Sequence, residues 1–168
     1  MQQNFIGISE NRLHHIIGVA RKAYKIAKDM GYDERFCRRC FILGWIHDVG
    51  YEFSEKQSEH PNVSEELLCT LGDAFGVISS STPYNEEWIT TLSAIKDHGS
   101  YTENETVEWK ILNMADMQVD SQGNEVSVSQ RLDDIKNRYG EHSDQYFTAC
   151  DICYRIGFTA INFAANII

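Results

Sequence analysis

Apolar residues recur at helical spacing along most of the chain and almost nowhere alternate as they would in a half-buried strand. Over residues 9–30, Leu13, Ile16, Ile17, Ala20, Tyr24 and Ala27 form one stripe, with Ser9 placed to cap the start and Gly31 to stop the end. His15, Val19 and Ile26 lie about 140–160° around from the middle of that stripe at 100° per residue, so this helix packs on two sides and turns His15 inward. A second helix is expected from Asp33 to about Asp48. In it Phe36, Cys40, Leu43 and His47 follow one another at spacings of four, three and four, and His47 ends the buried face. Val49-Gly50-Tyr51 breaks that helix.

Pro61 suits the start of a third helix, which continues through Leu71 to Gly72. A serine-rich loop is expected around 76–82, then a stripe of Trp88, Leu92 and Ile95 that ends near His98-Gly99. The stretch from Val107 to Val119 is apolar on several sides, which places it centrally and makes Asp116 costly to bury unless it is paired or bound to metal. A polar loop around Gly123 covers 120–127. A short helix is expected from Ser129 to Arg138, before Gly140. The last helix runs from Ser143 to about Ile167 and carries Phe147, Cys150, Cys153, Ile156, Ala160, Phe163 and Ile167 on one side. The expectation is an all-α fold: one domain over 1–168, with six or seven helices and no repeat or linker.

Composition narrows the function. The chain has 168 residues, 42% of them hydrophobic, which excludes disorder. Its net charge of −10 is uneven: +3 over residues 1–51, −10 over 52–108 and −3 over 109–168. An acidic surface repels nucleic-acid phosphates and anionic lipids alike, so neither a nucleic acid polymer nor a membrane is expected as partner. The opening Met1-Gln2-Gln3-Asn4-Phe5 lacks the basic and then apolar pattern of a secretory leader, so the expected location is the cytoplasm. Five cysteines include the pairs Cys37/Cys40 and Cys150/Cys153, plus Cys69. Their helical context favours reduced, buried thiols over a zinc site.

The residues that carry chemistry sit at helix ends and inner faces. His15 faces inward, His47 adjoins Asp48, His60 precedes a helix start, His98 ends a helix and Asp116 lies on the central one. Singly, each reads as a satisfied core or surface residue. Together they read as one site, because imidazole and carboxylate donors suit Fe, Mn, Zn or Ni, and a carboxylate beside a histidine can share its oxygens between two ions.

These residues also stand in a recognisable order. Arg12-Leu13-His14-His15-Ile16-Ile17-Gly18-Val19-Ala20 resembles the R-x-x-H-x-x-x-V-A opening of the HD superfamily of metal-dependent phosphohydrolases. Leu43-Gly44-Trp45-Ile46-His47-Asp48-Val49-Gly50 resembles its L-x-x-L-H-D-I-G signature. His60-Pro61-Asn62-Val63-Ser64 resembles the H-P-x-x-G that opens the next helix, with serine in place of glycine. Ile95-Lys96-Asp97-His98 and Ala115-Asp116 match its I-x-x-H and A-D. The resemblance covers about residues 10–120, and six positions in order are far more specific than H-D-x-G alone.

The resemblance implies a helical bundle around one or two divalent transition-metal ions (Fe, Mn, Ni, Co or Zn). His15, His47, Asp48 and Asp116 would hold the first ion. His60 and His98, with Asp48 bridging, would hold the second, as in the binuclear branch that includes diadenosine-tetraphosphatase-like proteins. His14 and His142 fall outside the set. The implied catalytic residues are Asp48, His98 and Lys96, with Lys96 or Asp97 serving the leaving group. The substrate would be a small phosphorylated metabolite or nucleotide, and a homo-oligomer is compatible with this. One departure stands out: many members read H-D-I-G-K, whereas Tyr51 and then Glu52 follow here. Arg12, Lys96, Lys110 and Arg131 are the remaining candidates for meeting phosphate. The same ligands would suit a di-iron oxygenase, and the absent lysine would suit a non-catalytic metal-binding or ligand-sensing domain.

Overall fold

The computed structural model describes residues 7–74 and 83–157. Seven α-helices occur among them: α1 (Glu10–Asp29), α2 (Glu34–Ile46), α3 (His60–Ala74), α4 (Pro83–Lys96), α5 (Val107–Asp116), α6 (Val128–Tyr139) and α7 (Asp144–Arg155). Two 3₁₀ turns, Val49–Glu52 and Gln57–Glu59, join α2 to α3. The described residues hold no strand, only an isolated antiparallel bridge between Val119 and Glu125. The expected all-α class is what the chain adopts. No helix among the described residues is long and apolar enough to cross a membrane.

Local chemistry sets the helix ends. The side chains of Ser9, Asp33, Thr106, Ser127 and Ser143 each accept a backbone N–H three residues on, satisfying donors that a helix start leaves free. Ser127 and Gln130 complete a reciprocal capping box, so α6 begins one residue before the expected Ser129.

α1 packs along α2, and α5 lies against α1, α2 and α4. Trp109, Ile111, Leu112 and Ala115 of α5 are fully buried, as its all-round apolar pattern predicts. They join Val19, Ala23, Cys40, Leu43 and Ile95 in the main core. A smaller core of Met117, Val128, Leu132, Ala149, Ile152 and Cys153 seats α6 and α7 over the end of α5. All five cysteines are free thiols.

Four expected details differ. Leu13, in the first turn of α1, is exposed although Ile16, Ala20 and Ala27 of the same stripe are buried. Phe147 is exposed as well, since α7 meets α6 through Ala149 and Ile152 together with Cys153, the one fully buried member of the expected stripe. Asp116, the last residue of α5, is half-buried and borders a cavity instead of being enclosed. α7 ends at Arg155, with Gly157 at φ 90° just beyond it, short of the expected end near Ile167; the expected serine-rich loop and Ala160, Phe163 and Ile167 lie outside the described residues.

Candidate metal centre

The fold brings His15, His47, Asp48, His60, His98 and Asp116 together from five elements. Each imidazole is held the same way. His47 Nδ1 lies 2.7 Å from the Gly44 carbonyl and His60 Nδ1 lies 2.6 Å from that of Gln57. His98 Nδ1 bonds the Ile95 carbonyl, also three residues back. His15 Nδ1 is 3.0 Å from the Asp120 carbonyl. A carbonyl can only accept, so Nδ1 carries a proton in all four rings, and in the neutral ring Nε2 is left with the lone pair that can ligate.

Those lone pairs converge on carboxylates. Asp48 Oδ1 is 3.0 Å from His60 Nε2 and 3.4 Å from both His47 and His98 Nε2. His60 and His98 Nε2 lie 3.1 Å apart. His15 Nε2 is 2.8 Å from Asp116 Oδ1 yet makes no hydrogen bond, although it is buried. Two sets, His15–His47–Asp48 and Asp48–His60–His98, each place three ligand atoms within 4.8 Å of one another. Acceptors crowded this closely repel unless a cation or proton stands among them. The donor set therefore fits divalent metal, with each imidazole fixed by the carbonyl behind it.

The electrostatics agree. Burial works to raise the Asp48 carboxyl, but His47, His60, His98 and Arg12 outweigh it and hold it well below the usual range. Asp116 is likewise held low by His15 and Arg131 against its burial. Burial pushes His47 down to about 4, against the pull of Asp48. For His98 burial also disfavours the charge, but its contact with Asp48 wins and the pKa rises.

A cavity of about 530 Å³ opens over this cluster. Asp48, His60, His98 and Asp116 border one side of it. Arg131, Arg138, Thr148 and Ile152 come from α6 and α7. Tyr51 is buried at its edge, with His60 stacked at 4.0 Å and the Arg12 guanidinium 4.0 Å from its ring centroid. Arg12 also bonds Asp48 Oδ2 at 2.8 Å. Thus Tyr51 aligns His60 on one hand and the Arg12 cation on the other.

Not every expected residue arrives. Lys96 is exposed on the last turn of α4 and is not among the residues lining the cavity. It stands two positions before His98, about 200° around a helix. Asp97 instead accepts the Thr102 hydroxyl and, through its carbonyl, the Trp109 indole. Lys110 pairs with Glu105. His14 and His142 are exposed. Sequence reasoning passed over Arg138, which follows Arg131 by seven residues and so shares its helix face. It also passed over the Asp120 carbonyl, for which the sequence carries no signal.

The HD domain family matches residues 12–118, a stretch that holds all six converging residues. Neither the curated proteins nor the solved structures give a match.

Proposed function

Since the chain belongs to the HD domain family, we propose that it is a metal-dependent phosphohydrolase that cleaves a small phosphoester or nucleotide. The observation that carries this reading is the convergence of four imidazole Nε2 atoms on Asp48 and Asp116 at the edge of a large cavity. His15, His47, Asp48 and Asp116 would hold one ion, and His60 and His98, sharing Asp48, a second. Metal held there supplies a water of lowered pKa and neutralises charge that develops on phosphate oxygens.

The chain's own residues do the rest. Asp48 stands between the two ligand sets and orients whatever they hold. Arg12, fixed by Asp48 and Tyr51, brings a permanent cation to the cavity where the family lysine is absent. The carbonyls of Gly44, Gln57, Ile95 and Asp120 keep the imidazoles in the ligating tautomer.

The test is metal analysis of protein purified without chelator, then a phosphoester panel with Mn, Fe, Co or Ni in the absence of oxygen. Hydrolysis that follows metal content is the expected result. Metal-loaded protein that cleaves no phosphoester but consumes oxygen with an organic substrate would overturn the reading in favour of di-iron oxygenation.

A further inference from the structure

A second cavity of about 90 Å³ adjoins the first and shares Arg12, Arg131 and Arg138 with it. Ser9, Asn11, Ser121 and the His15 ring complete its wall, so no carboxylate lines it among the described residues. The large cavity differs, with Asp48, Asp116 and Asp144 on its surface. Three guanidiniums around so small a space make a local positive field in a chain whose net charge is −10.

Their known partners leave donors over. Arg12 spends one nitrogen on Asp48, Arg131 meets Asp134 at 3.3 Å and Asp116 at 3.7 Å, and Arg138 bonds the same Asp134. Each guanidinium carries five N–H donors. The Arg131 side chain is only 11% exposed, and its Nε is buried without a hydrogen bond. A buried donor in that state points to an acceptor. The start of α1, capped by Ser9, borders the same pocket and adds the positive end of a 20-residue helix. At about 90 Å³ against about 530 Å³ for the large cavity, the pocket has room for a tetrahedral oxyanion and is too small for a nucleoside.

We propose that this side pocket binds one phosphate group. The group is either free inorganic phosphate or a second phosphate of a substrate whose first lies in the large cavity. The second source rests on the hydrolase reading, whereas the site itself stands without turnover.

Calorimetric titration of the metal-loaded full chain with inorganic phosphate tests it. Two classes of site are expected, one lost when metal is removed and one that persists. Arg138→Gln should weaken the second class about tenfold or more, the scale of a lost charged hydrogen bond. Arg138 pairs with Asp134 and not with any of the six converging residues, so metal content should be unchanged. Asn11→Asp, which adds a carboxylate to the wall of the side pocket alone, is the second variant and should act in the same direction. A single metal-dependent class, indifferent to both substitutions, overturns the proposal. Inorganic pyrophosphate separates the sources. Binding about tenfold tighter than phosphate and sensitive to Arg138→Gln assigns the pocket to a substrate's second phosphate. Pyrophosphate that binds no tighter, with the arginine-dependent phosphate site intact, assigns it to the free anion. If no phosphoester is hydrolysed but the arginine-dependent class remains, the hydrolase reading fails and the pocket stands.

Discussion

Asp48 offers Oδ1 to three imidazole nitrogens and Oδ2 to Arg12, so every face of its carboxylate is used. Asp48→Ala should remove hydrolysis by several orders of magnitude and lower metal content, while circular dichroism stays helical; near-normal turnover would refute the assignment. Replacing both His60 and His98 by alanine should instead reduce the metal count from two per chain to one, read by elemental analysis. Two metals retained in that variant would rule out the shared-Asp48 arrangement. Tyr51 sets a third contrast, since its ring and not its hydroxyl holds Arg12 and His60. Tyr51→Phe should cost less than about 1 kcal/mol in chemical denaturation, and Tyr51→Ala about 3 kcal/mol. Only the alanine variant should also weaken the metal that His60 holds. The six converging residues were legible because each stands in a local pattern of its own, such as His47-Asp48 at a helix end. Lys96 misled because nearness in sequence to His98 says little about direction on a helix. The Asp120 carbonyl was invisible, because any residue offers a carbonyl and only the chain path aims it.

The elements act on the site through two close backbone approaches. Gly50 lets the first 3₁₀ turn touch the start of α3, where its N–H donates to Ser64 Oγ at 2.7 Å. A Cβ there would strike the His60 carbonyl and come within 2.5 Å of the Ser64 nitrogen. Gly123 has φ of 80°, and a Cβ on it would strike the His14 carbonyl on α1. It closes the loop whose Asp120 carbonyl fixes His15. Gly50→Ala should therefore disturb the His60 side of the centre and Gly123→Ala the His15 side, each with a stability loss of about 1–3 kcal/mol. Metal stoichiometry of the two variants, with thermal denaturation, checks this; equal loss from both sets in both variants would contradict it. The helices themselves were legible from caps and stripes, notably Ser9 with α1 and Asp33 with α2. Where a stripe failed, as at Phe147, tertiary contact chose the face: α7 has α6 as its neighbour, and the residues that meet it are Ala149 and Ile152.

At the scale of the whole molecule, metal binding and folding stability are linked through protons. A ligand that binds only the folded chain stabilises it by about 2.7 kcal/mol at a hundredfold excess over its dissociation constant. For a chain of this size that is a rise in Tm of roughly 5–10 °C, lost on chelation. The difference should depend on pH, and the sign follows from two histidines. In the metal-free protein the pKa of His98 is raised; although burial opposes the charge, contact with Asp48 prevails. Its protonation therefore adds stability at low pH, which is lost as pH rises through the folded-state pKa. Metal requires the same ring neutral and forfeits that contribution. His47, which burial pushes down to about 4, stays neutral with or without metal above about pH 5 and so leaves the difference unchanged. The gap in Tm between metal-loaded and chelated protein should thus narrow as pH falls from about 7.5 to about 5.5, with uptake of protons on chelation. A gap that widens on acidification would mean that His98 does not exchange a proton for metal, and would remove it from the ligand set.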